Sequence, residues 1–557
     1  MKRQTNTSPA RTLNAVAAIL TATFASTAMA ANFWWTGKDS RDYGTASNWA
    51  SNNTGTSVAD KVPGSDAVRF MSMNATTSVF SDRFKNDGYI VEFDKAYTTG
   101  YQLYFNTSGA KVTFKGTADN AALTYTRGNY SQYAVMGIGD TTDSTLRIED
   151  MVYTHSYTNL VLGWTSGKKG NLEIASGATV NIPSTAGWCD GLWMRYGSSL
   201  LIDGGTLDCG KNIRIGVAAS SVVAGNNVIS NLNGTVTASW LGVGCKNTHG
   251  EYYQRGGSLV TTDHIFLAHD WTHGRGYFEV DGGKVTAGAT TNKNIYVGHK
   301  GYSESSAHLV VKGESEVNVY NLLIGERSPG IADIEGGIVR AINECRLSSV
   351  LTDATADDEL EHPVLNLLGG VLETPRVKCE STNAYATVFF NGGTLRERTN
   401  NDTIIKDGTH LYVKVGARGG TIDTNGLTTR LPKTIETGVD EGTDGGMTFT
   451  GGGTLALQSS ASLSYTGDTR VTSDTTLSVT DKSKVDLDKF VCLVNSKPEE
   501  GHAILKTTGN DAFTATDLAR IRLADGRYPA SSVRLKLSSD GKSILCKSVE
   551  GLTITFY

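Results

Sequence analysis

The stretch YFEVDGGKVTA (277–287) decides the fold. Apolar and polar residues alternate, a Gly-Gly pair interrupts the run, and a second alternating pair follows. Alternation at period two marks a half-buried strand, and glycine supplies the positive φ that tight turns need. The same unit returns on both sides, as LLIDGGTLD (200–208), HLVVKGESEVNV (308–319), IADIEGGIVRA (331–341), VLNLLGGVLE (364–373) and VFFNGGTLRE (388–397). Its register glycine recurs at Gly177, Gly205, Gly234, Gly257, Gly283, Gly313, Gly337, Gly370, Gly393, Gly420 and Gly453, in steps of 23 to 33 residues that average close to 28.

A second signature, aliphatic-x-aliphatic followed by Gly or Ala, trails these glycines. It reads Ile213-x-Ile215-Gly216, Leu241-x-Val243-Gly244, Ile265-x-Leu267-Ala268, Ile295-x-Val297-Gly298 and Leu322-x-Ile324-Gly325, with upstream copies at Met136-x-Ile138-Gly139 and Leu160-x-Leu162-Gly163. Each unit has room for three short strands and three turns, and none for a covering helix. A single unit cannot bury its apolar face, so the repeat makes sense only when stacked. Successive strands of a solenoid lie about 4.8 Å apart, which piles like residues on one another. The expected fold is therefore all-β, a right-handed parallel β-helix of about 28 residues per coil. Propeller blades need about 40 or more residues, and leucine-rich repeats need a helical arc.

Composition divides the chain further. Residues 1–30 read as a signal peptide: Lys2, Arg3 and Arg11 precede an apolar stretch from Leu13 to Ala25, and Ala28-Met29-Ala30 presents a small-x-small cleavage site before Ala31. Residues 31–130 are aromatic and less regular, with Trp34, Trp35, Trp49, Phe93 and Phe105 among them, and read as an N-terminal cap plus first coils. Residues 131–455 are the β-helix repeats, and 456–557 a C-terminal β cap or small β domain. Within the last, VRLKLSSDGKSILCK (533–547) reads as a hairpin turning at Ser539-Asp540-Gly541. No later segment is apolar enough to span a membrane. The expected location is extracellular or at the cell surface, with a bacterial outer surface or periplasm as the setting.

Removal of the leader leaves 48 basic against 56 acidic residues, a net charge near −8 with both signs mixed. A nucleic-acid partner would want a basic stripe, so none is expected. The seven cysteines are scattered, and no CxxC pair signals a metal ribbon or a redox motif.

The opening FWWTGKDSRDYGTASNWASN (33–52) and KVPGSDAVRF (61–70), with the later GGGTLAL (451–457), resemble bacterial autotransporter-passenger-like proteins and their autotransporter-associated β-strand repeats. The resemblance implies an extracellular β-helix with an adhesive or surface-coat role. The stretch after residue 455 is too short for the translocator barrel such proteins carry.

Candidate chemistry is sparse. Six of the ten histidines (His249, His264, His269, His273, His299, His308) fall within residues 249–308, and the second signature places Cys245, His269, His299 and Glu326 one position after its Gly or Ala in four successive coils. Stacking turns that alignment into a column of zinc-competent ligand types. Trp164 and Val217 occupy the same column, so it also reads as a turn column filled with flat polar residues. Asp357-Asp358 lies in an acidic insertion, TDATADDELE (352–361), and reads as a solvated loop. Trp34, Trp35 and Trp49 read as cap filling, whereas Trp188 and Trp193, bracketing a longer turn, are candidates for a sugar platform, and Trp240 and Trp271 share that chemistry. No catalytic, cofactor-binding or metal set is assigned, and no cofactor is expected. The reading is a non-catalytic structural or adhesin-like protein whose partners are extracellular polysaccharide or other surface proteins. The alternative is a polysaccharide-active lyase or glycosidase, or a non-catalytic carbohydrate binder, on the same scaffold.

Overall fold

The computed structural model describes residues 32–549, apart from 37, 53–55, 63–66, 74–76, 79–88, 100–102, 107–108, 110, 127–135, 140–141, 157–158, 184–189, 218–224, 270–272, 289–291, 300–304, 327, 349–361, 381–384, 401–402, 407 and 409. Residues 1–30, read from sequence as a signal peptide, and Trp188, Cys189, Trp271, Asp357 and Asp358 lie outside the described residues.

Three strands per coil wind into a parallel β-solenoid of about 13 turns at roughly 26-residue spacing. One representative coil comprises Arg275–Val280, Lys284–Ala287 and Asn294–Val297. Stacking of equivalent strands builds three sheets. The first holds fifteen strands, from Ile90–Phe93 to Leu463–Ser464, a stack of roughly 67 Å at about 4.8 Å per strand. The second runs beside it from Ala96–Thr99, and the third from Asn32–Trp35.

Register follows the alternation that the repeat displays. On the third sheet Leu241, Ile265, Ile295 and Leu322 pair directly, as do Val243, Leu267, Val297 and Ile324 two positions later. All eight are fully buried, and each such side chain contributes about 1.5–3 kcal/mol through burial. The residue closing the second signature turns the chain out of the third sheet. It has positive φ in every described copy: 79° at Gly139, 74° at Gly163, 84° at Gly216, 73° at Gly244, 93° at Gly298, 74° at Gly325 and 55° at Ala268. At Gly244 an added Cβ would also stand 2.1 Å from the carbonyl oxygen of Arg275 in the next coil.

Aromatic residues fill the N-terminal end of the core. Trp49 packs edge-on against Trp35 (4.9 Å) and Tyr43 (5.0 Å), and Tyr43 stacks on Phe93 at 5.0 Å. Trp35 and Trp49 are fully buried, while Trp34 is half-buried. Asn48 ties the cap loop together, accepting from the amides of Asp39 and Ser40 and donating to the carbonyl of Asp42.

At the other end, parallel stacking does not stop at residue 455. Met447–Thr450 pairs with Thr469–Thr472, then Phe490–Val494, then Arg522–Asp525. The third sheet continues through Thr428–Leu431, Thr454–Leu457, Thr476–Val479 and His502–Thr507. What ends at 455 is the Gly-Gly spelling of the turn. The chain then reverses: Ser543–Ser548 pairs antiparallel with both His502–Thr507 and Val533–Leu537, which covers the open edge of the last coils. The expected hairpin is present, with Gly541 at φ 67° in its turn. No helix among the described residues is long and apolar enough to cross a membrane.

Candidate functional site: the outer face of the third sheet

Every second residue of a third-sheet strand points away from the core. The register brings Val161, Trp193, Arg214, Gly242, Phe266 and Tyr296 into one outward column. The residue after each signature Gly or Ala flanks this column, so Cys245, His269, His299 and Glu326 do become neighbours across coils. Their geometry is a ring stack. The imidazoles of His269 and His299 lie 5.2 Å apart at 9°, and Phe266 stacks on both, at 4.4 Å and 4.7 Å. Tyr296 continues the stack on Phe266 at 5.1 Å, and Trp240 meets His269 edge-on at 5.3 Å. His299 Nδ1 lies 2.5 Å from Glu326 Oε2. Cys245 is fully buried, its sulfur lying where a side chain on Gly242 would stand.

This arrangement differs from a metal site. A shared cation requires ring nitrogens and carboxylates to converge on one point, whereas here ring faces are parallel and 8% exposed at both His269 and His299. Among the described residues no three His, Cys, Asp or Glu side chains group in a way that could hold a metal ion. The stack also turns its ring faces on each other, which leaves edges rather than faces outward.

His264 stands at the start of the Phe266 strand, on the same outer face, with the two ring centres 5.4 Å apart. Its Nδ1 accepts from the Asn294 amide at 2.9 Å, and its Nε2 lies 3.2 Å from Asp263. Burial pushes its pKa down, more than Asp263 restores it. Above it runs a ladder that sequence reading missed: Asn321 donates to Asn294 and Asn343 to Asn321, both at 2.9 Å. The signal was there, because Asn294, Asn321 and Asn343 recur at 22 to 27 residues, in step with the coil.

Arginines pair with tryptophans at the N-terminal half of this face. The Arg214 guanidinium lies 4.8 Å from the Trp240 ring centre and 2.9 Å from Asp190. Asp190 also accepts from Trp193 Nε1 at 3.3 Å and from the Asn212 amide at 2.7 Å. Arg195 lies 5.5 Å from the Trp164 ring centre and 5.2 Å from that of Trp193. Trp193, a candidate platform, is thus half-buried beside a guanidinium.

The first sheet carries a second polar cluster that the sequence did not single out. Tyr277 donates to Glu279 at 2.6 Å, Lys312 reaches the same carboxylate at 3.0 Å, and Arg255 contacts it from the preceding coil. Burial alone would raise the Glu279 carboxyl, but Tyr277, Lys312 and Arg255 outweigh it and hold it below the usual range. Farther along the same two columns, His308 Nε2 lies 2.8 Å from Asp333, which also accepts from Asn366 at 2.7 Å. A depression of about 410 Å³ lies farther down, lined by Arg147, Glu149, Asp150, Asp203 and Asn233.

No protein family, curated protein or solved structure matches this chain. The autotransporter-passenger resemblance therefore rests on the quoted residues alone, while the β-solenoid stands on the structure.

Proposed function

We propose that this chain is an exported structural or adhesin-like rod of a cell surface or extracellular matrix, without catalytic activity of its own. The observation that supports this reading most directly is how outward polar side chains are used: they tie one coil to the next. On the first sheet Lys111 and Arg147 both reach Glu173, and Arg255 and Lys312 close on Glu279. On the second, Arg340 joins Glu316 and Arg396 joins Asp423. On the third, the asparagine ladder does the same. An exposed ion pair contributes only about 0–1 kcal/mol, but repeated between nearest neighbours such pairs add to every coil interface. The product is stiffness along an axis, which suits reach and display.

The leader at 1–30 and the passenger-like opening motif support the placement outside the cell. The partners this role implies are extracellular polysaccharide or other surface proteins. The mature protein on a glycan array, assayed in parallel for new reducing ends and unsaturated uronates, tests the reading. No product from any glycan is the expected result. Product release would overturn the non-catalytic role and direct attention to Glu279 and Asp333. Cell fractionation tests the placement: chain beginning at Ala31 in the external fraction is expected, and cytoplasmic chain with residues 1–30 intact would sink it.

A further inference from the structure

We propose that Arg195, with the indoles of Trp164 and Trp193, forms a binding site for a carboxylate-bearing sugar chain on the outer face of the third sheet. The inference stands on this site alone and does not need the rod reading.

The argument starts from what the other outward cations of this face have and Arg195 lacks. Arg214 is paired with Asp190 at 2.9 Å, Arg346 with Glu380 at 2.8 Å and Lys378 with Glu344 at 2.8 Å. Among the described residues no carboxylate lies within ion-pair distance of Arg195. A buried Nε without a hydrogen-bond partner it shares with Arg346, so the missing carboxylate is what sets it apart. Yet its guanidinium is substantially withdrawn from water: burial pulls its pKa down, and only the nearby Tyr196 phenol works against that. A charged group taken from water is costly unless something pairs with it. The rings of Trp164 and Trp193 repay part of that through cation–π attraction. An in-plane oxyanion would supply the rest, because a guanidinium presents its N–H groups as a planar fork that matches a carboxylate.

The backbone holds this group firmly. The Arg195 amide donates to Leu162 of the preceding coil at 2.9 Å, and its carbonyl accepts from the Ser198 amide at 3.1 Å and hydroxyl at 2.5 Å. Trp164 and Trp193 are both half-buried, so part of each indole remains open to a ligand. The aliphatic end of Lys169 lies against the turn at Gly197, which adds positive charge at the same edge. A uronic acid offers both chemistries at once: a carboxylate for the fork and an apolar C–H face for an indole. A nucleic acid would need many cations in a row, against a mature chain near −8.

The test is titration of the purified full chain with oligogalacturonate, followed by tryptophan fluorescence and calorimetry. A neutral maltooligosaccharide and a sulfated glycan of equal charge serve as comparisons. Saturable binding of the oligouronate is expected, weakened about tenfold or more by Arg195→Gln. Arg195→Lys, which keeps the charge but loses the fork, should recover only part of the affinity, and Trp164→Ala should weaken it several-fold. Unchanged thermal midpoints of the Arg195 variants separate lost binding from lost folding. Equal affinity of Arg195→Gln and the parent chain would overturn the proposal, as would preference for the neutral chain. Binding of the sulfated glycan but not the uronate would overturn the carboxylate assignment.

Discussion

Two faces of one strand obey different rules. Ile265 and Leu267 point into the solenoid, meet Leu241 and Val243 below and Ile295 and Val297 above, and are fully buried with them. Phe266, between them in sequence, points outward and meets Gly242 below and Tyr296 above. The inner column accepts one chemistry, apolar throughout and aliphatic here, because a water-free space at close packing has no partner for a polar group. The outer column accepts anything that suits its immediate neighbours: Gly242 is small where Cys245 and Trp240 crowd in, and Phe266 is flat where two imidazoles stack. Fold and individuality are therefore interleaved at period two.

The largest expected effect breaks the inner column. Leu267→Ala should cost about 3 kcal/mol, the usual range for a leucine truncated in a core, read from the shift in urea midpoint. Phe266→Ala, one residue away, should cost about half as much, because its ring loses stacking partners but leaves no sealed cavity. Equal losses would show that the outer stack is as integral to the fold as the core, and the comparison would fail.

The turn after the strand gives a pair of opposite sign. Gly244→Ala places a Cβ on a residue at φ 73°, 2.1 Å from the Arg275 carbonyl oxygen. A loss of about 2 kcal/mol is expected, since left-handed backbone alone costs a non-glycine residue about 1–2 kcal/mol and the clash adds to it. Ala268 occupies the equivalent position in the next coil, at φ 55°. Ala268→Gly should raise stability by about 1 kcal/mol once that strain is relieved. A loss on Ala268→Gly would mean that its methyl packing outweighs its backbone strain.

This division explains what could be read in advance. The inner ladder was legible because burial repeats one residue type at one spacing, as at Leu241, Ile265, Ile295 and Leu322. The end of the stack was not: beyond residue 455 the turns are spelled with Thr, Asp and Ser instead of Gly-Gly, while the parallel pairing goes on to Asp525. The Cys245, His269, His299 and Glu326 alignment was legible as a column, because register is arithmetic. Its chemistry was not, because ring orientation depends on Phe266, Trp240 and Tyr296, which sit at other positions of the repeat. Arg195 escaped notice for a similar reason. A basic residue after a strand is ordinary until its neighbours in space, Trp164 and Trp193, are known.

The smallest expected effect concerns pH and sharpens the outer side of the comparison. His264 faces Phe266 at 5.4 Å and Tyr296 at 5.3 Å, with Asp263 at 3.2 Å and Lys293 beyond it. Burial is the largest influence and lowers its pKa; Lys293 and His299 lower it further, while Asp263 and Glu326 act in the opposite sense. The native chain therefore takes up this proton at lower pH than the unfolded chain, where histidine titrates near about 6.5. As pH falls below that value the unfolded state binds a proton the native state refuses, so stability is full above it and declines until the native group also protonates. His249 and His502 are shifted in the same direction by burial and add to the decline. His264→Gln keeps an acceptor for the Asn294 amide but cannot be protonated. Its urea midpoint should drop less than that of the parent chain between pH 7.5 and pH 5.5. An identical drop would show that the aromatic surround of His264 carries no proton-linked stability, leaving the outer stack a matter of packing alone.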